Sequence, residues 1–159
     1  MKFTSQKLKD FEILPIYQST ESDMWNLLEI RNLKEVRGQM FNQEIITREN
    51  HQKWWKSKCK MLSSVEQIFV VRKNKYTIGM FRFWFEKTYN AGNWGMFRDI
   101  RINSAISGIF MEYFAIHYFF CSELNKNDEL ISEVMKGNSI EKLHAKIGFI
   151  KENEDDNSL

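Results

Sequence analysis

Proline and glycine are scarce in this 159-residue chain, with one of the first and seven of the second. That excludes collagen, Pro-rich linkers and Gly-rich flexible arrays. Cysteine is scarcer than a disulfide framework needs. Cys59 and Cys121 stand far apart, with no metal-ligand spacing. His51, His117 and His144 form no HExxH pair, so no metal is expected. The greasiest stretch, Ile109 to Cys121, is interrupted by Glu112 and His117. It is too short for a bilayer core of about 30 Å. No apolar signal core follows Met1-Lys2-Phe3-Thr4-Ser5-Gln6. These absences predict a soluble protein in the reducing cytoplasm, without a membrane partner.

Aromatic and apolar residues are plentiful. The chain is 43% hydrophobic and 14% aromatic, with five Trp and thirteen Phe. A single domain spanning 1–159 with its own core is expected. The aromatic surplus also suits a flat ligand, although aromatics are most often core. Net charge is only +2, but it is uneven: −2 over residues 1–30, +9 over 31–101 and −5 over 102–159. A basic middle on a near-neutral protein points to a local polyanion site, or to a solvated basic helix. It does not suit a nucleic-acid coat, which makes a whole domain basic.

The periodicities give an order of elements. Glu12 to Ile16 reads as an edge strand that tolerates Pro15. Thr20-Glu21-Ser22-Asp23 offers a helix cap, and the helix behind it sets Trp25, Leu28 and Arg31 near one face. Val36 to Asn42 is irregular or a short helix. Thr47 to Asn50 opens a helix carrying His51, Trp54, Trp55 and Lys58. Gln67–Arg72 and Tyr76–Phe85 form a hairpin about Lys73–Lys75. Asn90–Asn93 reads as a turn and Trp94–Arg98 as a strand. Ile106 to Leu124 is a helix apolar on most faces, hence buried, and Asn125–Asp128 breaks it. Leu130–Met135 is a strand and Asn138–Ile147 a helix. Gly148 stops that helix before a short strand at Phe149 and Ile150. The acidic 151–159 reads as a tail. An α/β (α+β) fold with a mixed sheet covered by helices follows.

Several motifs then resemble a known family. Glu133-Val134-Met135-Lys136-Gly137-Asn138-Ser139-Ile140, followed by Leu143-His144-Ala145-Lys146-Ile147-Gly148-Phe149, resembles the C-terminal strand–helix signature of the GNAT acyltransferases. The block Arg31-Asn32, Val36-Arg37, Met40-Phe41-Asn42 and His51-xx-Trp54 resembles the branch that N-acylates nucleotide-linked amino sugars, the pseudaminic-acid-pathway type. Together the resemblance covers nearly all of residues 12–150.

The resemblance implies a mostly antiparallel sheet splayed around coenzyme A and helices on both faces. It implies transfer of an acetyl or short acyl group from acyl-CoA to the amine of a UDP- or dTDP-linked amino deoxysugar. A homodimer is compatible with it. Met96, Phe97 and Arg98 would lie beside the pantetheine arm. Asn103, Ser107, Gly108 and Asn138 would complete the coenzyme A site. Arg31, Met40, Phe41, His51, Trp54 and Phe97 would surround the acceptor. His144 stands where the family carries a tyrosine that protonates the leaving thiolate. An imidazole can do the same near neutral pH. Taken alone, His144 reads as a surface helix histidine.

Two departures stand out. The pyrophosphate loop keeps only Gly108 of its glycines, with Asn103 and Ile106 in place of the usual residues. Ile106 cannot adopt positive φ cheaply. Residues 151–159 are also short for the family's final strand. Glu133 lies where a general base could sit, but the base stays unassigned. Two rival readings remain: the same chemistry on a protein or amino-acid amine, or a degenerate module that binds coenzyme A or a nucleotide without catalysis.

Overall fold

The computed structural model describes residues 10–60, 65–85, 92–102, 105–121 and 129–152. In chain order the elements are β1 (Phe11–Pro15), a 3-10 turn at Ile16–Gln18, α1 (Glu21–Asn32), α2 (Lys34–Arg37), α3 (Arg48–Lys60), β2 (Glu66–Lys73), β3 (Tyr76–Phe85), β4 (Gly92–Arg98), α4 (Ala105–Cys121), β5 (Leu130–Ser132) and α5 (Ile140–Ile147). The five strands lie in one sheet in the order β1-β2-β3-β4-β5. The first three pairings are antiparallel and β4–β5 is parallel. β1 is an edge strand, and Pro15 ends it, where its missing N–H does least harm.

Side-chain alternation splits the core into two. Ile68, Val70 and Met80 face α1 and α3, where Met24, Leu27, Ile30 and Trp55 close over them. Phe69, Val71, Phe81, Phe83 and Trp94 face α4, against Met111, Ala115 and Phe119. Helices therefore cover both faces. Ile78 breaks the alternation and joins the α4 side. The cause is a bulge: Val71 pairs with Gly79 and Arg72 with Thr77, which leaves Ile78 as the extra residue.

Local chemistry explains the element ends. Thr20 and Asp23 form a reciprocal capping box that starts α1. Asn74 and Lys75 take φ of 49° and 68° in the two-residue β2–β3 loop. Both residues in that region match the tight turn favoured by strand twist. Gly148 ends α5 at φ 108°, the left-handed stop expected from its place in the sequence.

Several boundaries differ from the sequence expectations. The buried face of α1 carries Met24, Leu27, Leu28 and Ile30, and Trp25 and Arg31 sit at its margin. Gly92 and Asn93 belong to β4, and the rest of the expected turn lies outside the described residues, as does Asn125–Asp128. Helix α4 is not buried all round: Tyr113 is 55% and Phe120 46% exposed. The strand expected over 130–135 stops at Ser132, because β4 has already diverged from it. Asn138 precedes α5 instead of opening it. Phe149 and Ile150 form no strand; the Phe149 ring packs on Trp94 and His144 while Ile150 points outward. Of the acidic tail, only Lys151 and Glu152 are described, and both are exposed.

Candidate active site

The sheet opens as a fork. β4 pairs with β5 only through Gly92–Leu130, Asn93–Ile131 and Trp94–Ser132. From Gly95 to Arg98, β4 keeps β3 on one side, through Arg82, Phe81, Met80 and Gly79. It has no described strand on the other. Backbone amides and carbonyls on that open edge have strong pairing demands, so the edge suits an extended ligand. Met96, Phe97 and Arg98 all lie on this segment. Phe97 packs toward the α1/α3 core and Met96 toward the α4 core. The strand thus separates two sides of one opening.

At the mouth of the fork, α4 begins. Ile106 lies within the helix and outside the positive-φ region, so its loss of glycine freedom causes no backbone strain. Ser107 and Gly108 form the first turn, and Ser107 is buried. A Cβ on Gly108 would stand 3.0 Å from Arg98 Nε. The bare glycine lets the Arg98 side chain lie close against this helix start. A cation and a helix N-terminus together favour an anion. Asn103 falls outside the described residues. Asn138 accepts a bond at Oδ1 from the Ile140 amide, 3.0 Å away. That carbonyl is thereby occupied in shaping the turn before α5.

Below the fork, α5 carries His144. It is a buried residue, 8% exposed, and not the surface histidine that its sequence position alone suggests. The α5 stripe turns it onto α4, where its Nε2 lies 2.8 Å from Glu112 Oε1. Its ring also meets Trp94 and Phe149, at centroid distances of 5.7 and 4.8 Å. Glu112 is 1% exposed. In the sequence it stands only as an interruption of an apolar run. The signal was there: it is the sole carboxylate in α4. Glu133, the position considered for a base, is exposed.

The predicted acceptor residues lie on the other face. Met40, Trp54 and Phe97 pack against the same α1/α3 core. Arg31 Nη2 donates to the Asn42 carbonyl at 2.5 Å, and Arg37 Nη1 donates to Gln43 at 2.9 Å. The two guanidiniums hold the strand of loop just after Phe41, whose side chain is 65% exposed. Arg31 Nη1 and Arg37 Nε are buried without hydrogen-bond partners. Among the described residues neither arginine has an ion-pair partner. Burial first, and repulsion from Arg37 second, push the Arg31 guanidinium down from its ordinary pKa. Two neighbouring cations without a counter-charge make a place where an anion is electrostatically favoured.

His51 is a different matter. It is 5% exposed, and its Nε2 donates to the Met24 carbonyl at 2.8 Å. Burial lowers its pKa, and the Met24 bond opposes that only in part. It ties α3 to α1 and stacks on Trp54 at 5.4 Å. The imidazole expected around the acceptor thus has its Nε2 engaged within the protein. Two clefts, of about 430 and 560 Å³, border α1 instead of the fork. The larger is crossed by Arg101, which is held by Asp99 and Glu29. The Arg101 charge is already paired, so the fork and the Arg31–Arg37 surface are the better candidates. Among the described residues no His, Cys, Asp and Glu cluster could hold a metal ion. No described helix is long and apolar enough to cross a membrane.

The order of elements, the forked parallel pair and the α4 start give this chain the fold seen in solved N-acetyltransferases. No protein-family profile matches the chain, and no curated protein does. Solved structures do. The Campylobacter jejuni N-acetyltransferase PseH, solved also in complex with acetyl coenzyme A, is 19% identical, with 92% of each chain covered and a TM-score of 0.67. A Vibrio cholerae spermidine N-acetyltransferase, in complex with CoA and spermine, is 13% identical over 91% of this chain and 83% of its own, at 0.74. RimL, a ribosomal L7/L12 alpha-N-protein acetyltransferase in complex with coenzyme A, is 13% identical over 87% and 78%, at 0.66. A spermidine acetyltransferase and a ribosomal-protein acetyltransferase share the one fold, so the fold itself does not select the acceptor.

Proposed function

We propose that the protein is an acyl-CoA-dependent N-acyltransferase acting on the amine of a nucleotide-linked amino deoxysugar. The donor would be acetyl-CoA or another short acyl-CoA. The open β4 edge would pair with the pantetheine arm, and Arg98 with the Ser107–Gly108 turn would face the pyrophosphate. The acceptor amine attacks the thioester carbonyl directly. Backbone N–H groups of Met96–Arg98 polarise that carbonyl as negative charge develops on its oxygen. His144 protonates the departing thiolate. Holding both substrates in one cleft supplies much of the acceleration.

The observation that carries the choice of acceptor is the Arg31–Arg37 pair, without an ion-pair partner among the described residues, on the side of the sheet where Met40 and Trp54 pack against the core. A diphosphate supplies the missing charge, and the apolar groups suit a base. A polyamine or a cationic N-terminus would be repelled there. The reading fits an enzyme of glycan-precursor synthesis in the cytoplasm.

The test has two arms. Isothermal titration with coenzyme A should show binding of millimolar affinity or tighter, about −4 kcal/mol or below. Absence of binding would leave only a non-catalytic fold. Acetyl-CoA is then offered with UDP- and dTDP-linked amino sugars, spermidine, and a peptide with a free N-terminus. Turnover is expected with a nucleotide sugar and not with spermidine or peptide. The reverse pattern would remove the sugar assignment while keeping the acyltransferase.

A further inference from the structure

Glu112 is the one carboxylate of α4, a helix whose Phe110, Met111, Ala115 and Phe119 are also buried, and it is 1% exposed. Burying an ionised carboxylate without a partner costs several kcal/mol. Neither of its oxygens has a hydrogen-bond partner among the described residues. His144 Nε2 lies 2.8 Å from Oε1. The contact has ion-pair distance without the alignment of a linear hydrogen bond. His144 itself is clamped by Trp94 and Phe149. Trp94 is the last residue of β4 paired to β5, at the base of the fork. Two buried titratable groups from different helices thus meet directly below the opening.

We propose that Glu112 is a positioning residue for His144, holding the imidazole through Nε2 so that Nδ1 is the nitrogen presented to the thiolate. The inference rests on the reading of His144 as the general acid. A cationic imidazole has an N–H on each nitrogen. With Nε2–H committed to the buried carboxylate, the transferable proton is on Nδ1. When the tetrahedral intermediate collapses, the C–S bond breaks and its electron pair stays on sulfur. The Nδ1 proton moves to that sulfur. The imidazole is left neutral, still anchored at Nε2, and water returns its proton. The surplus proton of the attacking amine leaves to water. A carboxylate that fixes ring and tautomer is a recurrent way to aim an imidazole.

The experiment uses the full chain, labelled with ¹⁵N-histidine. The His144 Nε2 resonance is expected to move in Glu112→Gln, which keeps the side chain's shape and removes its charge. Coenzyme A should shift the Nδ1 resonance of His144 and leave Nε2 in place. A shift at Nε2 instead would overturn the proposal without any variant. Kinetics with acetyl-CoA and the nucleotide sugar that turns over best give the second readout. His144→Ala should lower kcat by roughly 10²–10⁴-fold. Glu112→Gln should lower kcat about tenfold or more with both KM values unchanged, and the double variant should be no slower than His144→Ala, as expected for groups acting as one unit. Glu112→Leu covers the case in which the glutamine variant does not fold, since an apolar residue often replaces a buried ion pair at no cost in stability. A folded Glu112 variant with unchanged kcat, beside an impaired His144→Ala, would reduce Glu112 to a contact that docks α5. An active His144→Ala would instead remove the general-acid reading itself.

Discussion

Asp23 shows how one side chain can set a helix start and a sheet contact together. It accepts from the Thr20 amide at 2.7 Å and from the Thr77 hydroxyl at 2.7 Å. Arg72 grips both carboxylate oxygens, at 2.9 and 2.5 Å. Burial pulls its pKa upward, but Arg72, the Thr20 amide and the two threonine hydroxyls outweigh that and hold it well below the ordinary carboxylate range. The folded value lies below the unfolded one of about 3.9. The stabilisation is therefore complete above that pH and is lost as pH falls through the folded pKa. Urea melts from pH 7 down to pH 3 should show falling stability in the native protein. Asp23→Asn should cost about 1.5–3 kcal/mol at pH 7, the range for charged hydrogen bonds, and should flatten the acid slope. Equal slopes for the two proteins would show that other carboxylates dominate acid unfolding.

At the scale of elements, the bulge in β3 connects packing to the site. Gly79 faces Arg98 across the ladder, and its φ is 157°. A Cβ there would stand 2.3 Å from the Phe97 carbonyl oxygen and 2.9 Å from Arg98 Cα. Those are backbone atoms, which cannot swing aside. Gly79→Ala should therefore push β4 away where it forms the open edge, lowering stability by about 1–3 kcal/mol, the range for overpacking. Coenzyme A binding should weaken in the same variant. Gly95→Ala is the control: its Cβ meets the Trp84 ring at 3.6 Å, an ordinary contact, and its Tm should hardly move. A Gly79→Ala protein as stable as the native one would mean that the two strands can part freely.

For the whole molecule, the sheet divides the labour. Donor candidates lie along β4, α4 and α5, whereas Arg31, Met40, Phe41 and Trp54 lie on the α1/α3 side. Losing a charge-assisted phosphate contact in Arg31→Ala should cost about 1.5–3 kcal/mol of nucleotide-sugar binding. The cost should disappear with the free amino sugar, and coenzyme A affinity should not change. Equal weakening for both acceptors would make Arg31 a support of the loop that it already binds at Asn42. The +9 middle of the chain includes Arg31, Arg37 and all of α3, so acceptor binding should also weaken as salt screens those charges.

What the sequence determined by itself is what neighbours in the chain decide between them. The Thr20–Asp23 cap, the Lys73–Tyr76 hairpin and the Gly148 stop depend on residues a few positions apart, and alternation and helical spacing carry the rest. The C-terminal signature pointed to the fold for the same reason, because its strand, turn and helix are contiguous. Tertiary structure alone decided how the candidate site is arranged. The early end of β5 follows from β4 diverging beyond Trp94, and no local pattern encodes that divergence. His51 turned inward because α1 offered the Met24 carbonyl. His144 became buried because α4 placed Glu112 opposite it. Pairing between distant segments depends on the packing of whole elements, and the low dielectric of that packing gives a carboxylate and an imidazole their hold on one another.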